Sequence, residues 1–192
     1  NKEQIEQLKN HKSSSGQTDT YFRDMFIFSC YAGGLRFGDV VTLQWKNYDE
    51  NEQRIRLNIR KTKRSHQFKV GQSALEILNK YKKETSESDD FIFPIISEAN
   101  FFEQSNEYQL KVIAAKNTLC GQKLRRIGKE LEFPFSLSFH LSRHTFATQA
   151  LANGMRIEYV SKLLDHSDIG TTQIYAKIVN DELDKAVEQY IK

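Results

Sequence analysis

Residues 140–151 read HLSRHTFATQAL, and residues 163–178 read LLDHSDIGTTQIYAKI. In the first stretch His140 and Arg143 are three apart and His140 and His144 four apart, so a helix brings all three onto one face. A histidine and an arginine sharing a face suit an anionic substrate. The second stretch puts His166 at a helix end and Tyr175 nine residues later, inside a helix for which Thr171 or Thr172 supplies the cap. That spacing can return both side chains to one cleft. Gly154 and Gly170 divide this part of the chain into three helices, Phe139 to Asn153, Arg156 to Leu164 and Thr171 to Lys177.

Upstream, apolar and aromatic residues crowd at helical spacing from Thr20 to about Ala32 (Phe22, Met25, Phe26, Phe28), which predicts a buried helix. Gly33-Gly34 stops it and delivers Arg36 at a tight turn. A second short helix is expected after Asp39. Ile55, Leu57 and Ile59 then alternate with Arg54, Arg56, Asn58 and Arg60, the period-2 pattern of a strand with one buried and one cationic face. Beyond the turn-like residues 61–65, Phe68 and Val70 alternate with Lys69, giving an antiparallel hairpin with Lys61 and Lys63 near its tip. Leu75, Ile77, Leu78 and Tyr81 predict a helix from Ser73 to Lys83, and residues 91–94 a short buried extended piece. From Glu107 to Leu131 the pattern fits one long helix or two abutting ones, with Leu110, Ile113, Leu124, Ile127 and Leu131 inward and Lys123, Arg126 and Lys129 outward.

The fold class is therefore α+β, mainly α-helical, with a small antiparallel β-sheet or hairpin at one edge. Residues 1–19, where Ile5 and Leu8 precede Ser13-Ser14-Ser15-Gly16, read as a linker or peripheral leader, and residues 20–192 as the main domain. Asp181 to Ile191 reads as a final helix with an acidic first turn, favourable to its dipole.

Composition narrows the function classes. At 192 residues, 39% hydrophobic and 28% charged, with two prolines, the chain suits one globular domain. No apolar run approaches the roughly 18 residues of a membrane span, and NKEQIEQLKN lacks the apolar stretch and cleavage site of a signal peptide, so a cytoplasmic protein is expected. Cys30 and Cys120 are too few and too far apart for a disulfide framework or a four-cysteine zinc site; reduced, structural thiols are expected. A net charge of +3 indicates no partner by itself, but its distribution does. Between Arg54 and Lys69 lie seven basic residues and no acid, whereas the last twelve residues carry four acids against two lysines. A polyanion-binding surface requires cationic charge concentrated in this way.

Taken singly, the conspicuous polar residues have ordinary readings. Arg36 can be a surface arginine paired with Asp39, Lys61 a solvated lysine, Tyr175 a core tyrosine with a wet hydroxyl, and His140 or His144 a helix cap or core filler. Jointly, GGLRFGD, the basic hairpin ending in RKTK, HLSRHTFAT and LLDHSDIGTTQIY, in this order, resemble the tyrosine recombinases, the phage-integrase family of site-specific DNA strand-exchange enzymes, over about residues 2 to 190. The resemblance implies that family's catalytic-domain fold and a catalytic set of Arg36, Lys61, His140, Arg143, His166 and Tyr175. Lys61, which precedes a threonine as in many relatives, is preferred to Lys63. It also implies DNA contacts from Arg60, Lys63, Arg64, Lys123, Arg126 and Lys129, a solvated face being the alternative for the last three. The implied partner is a double-stranded DNA recombination site, bound by a homotetramer on synapsed DNA, or by a monomer for the isolated domain, with association to the nucleoid when bound. Relatives carry an N-terminal core-binding domain, which is expected to be absent ahead of Asn1. Relatives also dock a last helix onto a neighbouring protomer; packing on its own core is the alternative for Asp181 to Ile191.

The residue types answer the demands of the implied chemistry. As a nucleophile approaches a DNA phosphodiester, negative charge grows on the non-bridging oxygens and on the leaving 5′ oxygen. Arg36 and Arg143 offer permanently charged forks for the former, and His166 a further hydrogen bond. Tyr175, with an ordinary pKa near 10, needs a base or a cationic field to attack. His140 is the candidate base and Lys61 the candidate general acid. The expected product is a 3′-phosphotyrosyl enzyme with a free 5′ hydroxyl. A 5′ hydroxyl from a partner duplex can reverse the step, so neither ATP nor a metal nor another cofactor is called for. Integration or excision of a mobile element is the expected role.

One position departs from the family. Relatives commonly carry glycine where this chain has Asp165; aspartate adopts a left-handed helix end less readily, so the local backbone there, though not the role of His166, is expected to differ. Three rivals remain. A type IB topoisomerase shares the chemistry, a zinc-dependent hydrolase would use His140, His144 and His166 but lacks the expected glutamate base, and a non-catalytic DNA-binding module leaves the tyrosine unexplained.

Overall fold

The helix α2 (Gln17–Tyr31) carries an unbroken buried run from Phe22 to Cys30. A helix buried on every side needs neighbours on every side. α1 (Lys2–Asn10), α4 (Gln72–Tyr81), α5 (Asn106–Glu130) and α6 (Leu141–Ala152) all pack against it. The computed structural model describes residues 2–12, 16–98, 100–177 and 187–188. Aromatic rings fill the space between layers: Phe28 meets Phe93 edge-on at 5.5 Å, and Phe37 meets Phe139 at 5.2 Å. Burying a side chain of this size contributes about 2–3 kcal/mol. Cys30 and Cys120 are both buried and unbridged.

The expected leader is part of the core. α1 buries Ile5 and Leu8 in the same cluster as Phe22 and Phe28, and Arg23 donates from Nη1 to the carbonyl of His11. A nine-residue helix is marginal alone and persists by burying its apolar stripe, so the boundary expected at residue 20 is corrected. α5 is one helix, continuous through Gly121 and Gly128, with Ser105 Oγ accepting from the Tyr108 amide at 3.2 Å as its cap. Leu110 on it is 54% exposed, a correction to its inward placement.

α3 (Phe37–Val41) begins two residues before Asp39, not after it. The hairpin is the larger part of a three-stranded antiparallel sheet, β1 (Tyr48–Asp49), β2 (Arg54–Asn58) and β3 (Ser65–Lys69), in that order. Ile55 pairs with Phe68 and Leu57 with His66. Ile55, Ile59 and Phe68 are buried as the alternation requires. The outer face is less cationic than the run from Arg54 to Lys69 suggests. Arg56 Nη1 lies 2.7 Å from Asp49 Oδ2 and also meets Glu52, and Arg54 Nε lies 3.4 Å from Glu52. Acids just upstream of the counted window neutralise the strand, leaving Lys61, Lys63 and Arg64 exposed at the tip.

After α6 come α7 (Ile157–Leu163) and a helix over residues 170–177. Gly170 is its first residue rather than a separator, and its amide donates to Asp168 Oδ1 at 3.0 Å, so Asp168 supplies the capping oxygen expected of Thr171 or Thr172. These elements enclose a second, smaller apolar cluster of Phe146, Ala147, Ala150, Val160, Leu164 and Tyr175. Of the final helix expected from Asp181 to Ile191, all but residues 187–188 lies outside the described residues. Among the described residues no helix is long and apolar enough to cross a membrane.

Candidate active site

Two glycines shape one wall. Gly33 and Gly34 have φ of +67° and +62°, a conformation that side chains resist. A Cβ on Gly34 would also come within 2.9 Å of Leu164 and 3.1 Å of Phe146. The chain can therefore turn sharply against α6 and α7. The turn leaves Arg36 extended at the N-terminus of α3 and exposes the Gly34 carbonyl to Arg143. Ser29 Oγ, which lies 2.8 Å from Ser142 Oγ and donates to the Leu35 carbonyl at 2.8 Å, fixes α6 against this turn.

Arg143 is the centre of the arrangement. It is buried on α6, donates from Nη1 to Gly34 O and from Nη2 to Leu164 O at 2.6 Å, and holds Nη2 3.5 Å from His166 Nε2. Burial, and then the charge of Arg36, pull its pKa down to about 10, so it stays protonated at neutral pH. His166 Nδ1 lies 2.9 Å from Thr172 Oγ1. A guanidinium only donates, so Nε2 accepts from Arg143 while Nδ1–H donates to Thr172. The threonine hydroxyl can equally donate, which lets the imidazole present an Nε2–H to an anion when one arrives. Thr172 is fully buried, and its role as a histidine partner has no sequence signal beyond that of a helix cap.

His140 stands at the N-cap of α6, its ring 4.7 Å from that of His144, which in turn lies 5.3 Å from the ring of Tyr175. Burial lowers the pKa of all three site histidines; Arg143 and Arg36 lower His140 and His166 further, while His140 and Arg143 lower His144. Each is neutral near pH 7 and can accept a proton. Tyr175 is 4% exposed, and burial raises its pKa against the opposing charge of Arg143. The phenol is held protonated beside Arg143, whose charge favours its ionised form. His140 and His144 face each other, and His166 turns to Arg143; among the described residues no cluster of three metal-ligating side chains forms. The zinc-hydrolase reading loses its ligand set.

Asp165 closes the group from below. Its φ is +51°, so the left-handed conformation is adopted by an aspartate, contrary to the expected backbone departure. Its carboxylate accepts from Thr62 Oγ1 at 2.8 Å and Arg36 Nη1 at 3.3 Å, and lies 3.6 Å from Arg64 Nη1. Arg36 thus pairs with Asp165 rather than with Asp39. Asp39 is buried, which raises its pKa, and accepts the Arg60 amide at 2.8 Å. Lys61 is exposed on the turn next to Thr62, beside the cluster but not in it.

The outlying cations divide. Lys63, Arg64 and Lys129 are exposed. Arg60 is partly buried and donates from Nη2 to Gln109 Oε1 at 3.1 Å on α5. Lys123 Nζ lies 3.2 Å from Asp19 Oδ1, and Arg126 meets Asp19 Oδ2. Asp19 is fully buried at the start of α2, so its charge needs these partners. Lys123 and Arg126, the expected DNA contacts on α5, thus also serve the α2–α5 packing.

Comparison with known proteins identifies the family and the fold. The model of the phage integrase family matches residues 1–182. Tyrosine recombinase XerD of Brucella suis is 30% identical over 166 residues, which is 83% of this chain and 49% of that protein. The crystal structure of XerA recombinase aligns with TM-score 0.67 at 22% identity, covering 100% of this chain and 62% of that one. The XerH recombinase bound to palindromic difH substrate, a post-cleavage complex, aligns with TM-score 0.62 at 15% identity, covering 98% and 50%. The chain belongs to the phage integrase family. It spans about half the length of the curated relatives it matches.

Proposed function

We propose that this chain is the catalytic part of a site-specific DNA recombinase that cuts and rejoins strands through a 3′-phosphotyrosyl linkage. The observation that carries the reading is Arg143, a buried cation whose field reaches Arg36, His140, His166 and Tyr175 at once. Arg36 carries the Asp165 carboxylate while the buried Arg143 rests on two carbonyls and His166, and a phosphodiester has the charge and shape to bridge the two guanidinium groups. Arg36 and Arg143 clamp its non-bridging oxygens, and His166 donates to one of them.

Tyr175 Oη then forms the bond to phosphorus as the bond to the 5′ oxygen breaks. The phenolic proton passes to His140, neutral at working pH, and the leaving 5′ oxygen takes its proton from Lys61 on the hairpin turn. Attack by a 5′ hydroxyl from a second duplex runs the step backwards, with the linkage conserved and no external energy source. Double-stranded DNA is the partner, and exchange between two duplexes calls for a multimer, for which a homotetramer is the natural closed form. Integration or excision of a mobile element is the role we assign.

A randomised substrate lets the protein select its own DNA sequence. The protein is mixed in EDTA with a pool of nicked duplexes of randomised sequence, denatured in SDS, and the covalently retained DNA sequenced. A nick frees the 5′-hydroxyl fragment, so rejoining stops and the adduct accumulates. An SDS-resistant adduct that forms in EDTA and is absent in Tyr175→Phe supports the reading; no adduct, or one that persists in Tyr175→Phe, overturns it.

A further inference from the structure

Residues 164–166 touch every wall of the site in succession. The Leu164 carbonyl accepts from Arg143, and His166 faces Arg143 and Thr172. Between them, the Asp165 side chain, 6% exposed, takes an ion pair from Arg36 and one from Arg64 together with the hydroxyl of Thr62. Arg36 Nη2 also lies 3.4 Å from the Asp165 carbonyl, so both η nitrogens of that guanidinium rest on one residue. The carboxylate therefore holds Arg36 from behind, leaving the fork made by Nε and Nη2 to face outward.

Asp165 reaches a second segment as well. Thr62 belongs to the tight turn between β2 and β3, in which Lys63 has φ of +59° and its amide closes on the Ile59 carbonyl at 2.8 Å. Lys61 is on that turn, with a long flexible side chain whose position depends on where the turn is held. The bond from Thr62 to Asp165 joins the lysine's segment to the segment of His166 and Arg36 across 103 residues of sequence. Its geometry is short and its acceptor buried, where a hydrogen bond is stronger than in water.

We infer that Asp165 is a positioning residue that ties the Lys61 turn to the phosphate-binding face, so that the proton donor and Arg36 are set relative to one another before DNA binds. The inference rests on the recombinase reading for its consequence, but the tie itself does not. Asp165 acts through Thr62 on the protonation of the leaving 5′ oxygen. A residue there merely for stability would do the opposite of what its backbone suggests, because φ of +51° favours glycine over aspartate.

Asp165→Gly and Asp165→Asn separate these roles in two measurements. In the first, without DNA, amide hydrogen exchange is followed over residues 60–65. Asp165→Gly is expected to exchange faster there than wild type, with Tm equal or higher; unchanged exchange overturns the tie whatever the protein does to DNA. In the second, adduct formation is timed on captured nicked duplexes carrying either the natural 5′ oxygen or a 5′ bridging sulfur at the scissile bond. A thiol has a pKa near 8.5 and departs without a proton donor, so a defect in proton delivery vanishes on the sulfur substrate. Asp165→Gly is expected to lose about tenfold on oxygen and to recover most but not all of it on sulfur, the remainder reflecting the released Arg36, whereas Asp165→Asn, which keeps an oxygen for Thr62 but not the charge for Arg36, loses no more than about threefold and equally on both. Equal loss by Asp165→Gly on the two substrates, or none on either, overturns the inference. Absence of any adduct with wild-type protein refutes the recombinase reading instead, and the exchange result still decides the tie.

Discussion

From α1 to α5 the molecule closes around Phe22, Phe28 and Phe93, whereas the part that carries His166 and Tyr175 is held by Phe146, Ala147, Ala150, Val160, Leu164 and the tyrosine itself. Arg36 and the Lys61 turn grow from the first region, Tyr175 from the second. Arg143 spans the two, with Nη1 on Gly34 of one and Nη2 on Leu164 of the other. Apolar burial alone can hold the large region in one shape, whereas among the described residues the small one buries six, two of them alanines. Polar ties from Arg143 and Asp165 register the tyrosine against the arginine and lysine. On the recombinase reading, phosphate binding and alignment of the site draw on the same side chains.

Removing the bridge should have the largest effect. Arg143→Ala is expected to slow adduct formation by roughly a thousandfold or more, since it removes a donor aimed at developing charge. It also leaves two carbonyls without their partner, so Arg143→Lys, which retains a cation, is the companion variant: it should fold with a Tm near wild type and still lose on the order of a hundredfold in rate, because a lysine cannot serve both carbonyls and a phosphate.

Next come substitutions that set the regions against one another. Phe28→Ala in the large cluster should cost about 3–5 kcal/mol in denaturant unfolding, and Phe146→Ala in the small one nearer to about 2 kcal/mol. The second should nevertheless be more harmful to cleavage per unit of stability lost. Equal ratios would mean that the two clusters unfold and act as one.

Acidification tests the histidines. His66, His140, His144 and His166 all have pKa values lowered mainly by burial. Below the ordinary histidine value near 6.5 the unfolded chain therefore binds more protons than the folded one, and stability must fall as pH falls. A Tm that drops from about pH 7 to about pH 5.5 is expected. Cleavage should show an acid limb below about pH 6.5 that His140→Gln abolishes, while the Tm loss, sustained by His66, His144 and His166, largely persists.

The smallest effects separate committed from exposed cations. Lys129→Ala or Lys63→Ala should reduce the dependence of log binding on log salt by about 0.9 with little change in Tm. Lys123→Ala and Arg126→Ala should lower Tm and leave that slope alone, because their partner is Asp19.

Much of the structure is legible in the sequence where one periodicity has one explanation. The alternation from Arg54 to Val70 decides which residues of the hairpin face inward, and the apolar run from Phe22 to Cys30 requires a central helix. The candidate site residues can be proposed as a set because order and spacing are sequence properties. What stays hidden depends on contacts distant in the chain. Lys123 and Arg126 look solvated until the buried carboxylate of Asp19 is placed beside them. Arg36 has Asp39 nearby in sequence but Asp165 nearby in space. Ile5 and Leu8 are too few to announce a docked helix without the groove that receives them. Thr172 gives a capping signal, and only the fold turns its hydroxyl to His166.

The most direct test of the central claim is to locate the covalent bond. After adduct formation in EDTA and digestion with trypsin, mass spectrometry should find a nucleotide on the peptide of residues 163–177, attached at Tyr175 through a 3′ phosphate, while the released strand carries a 5′ hydroxyl. A nucleotide on any other side chain, or one joined through its 5′ phosphate, would contradict the mechanism.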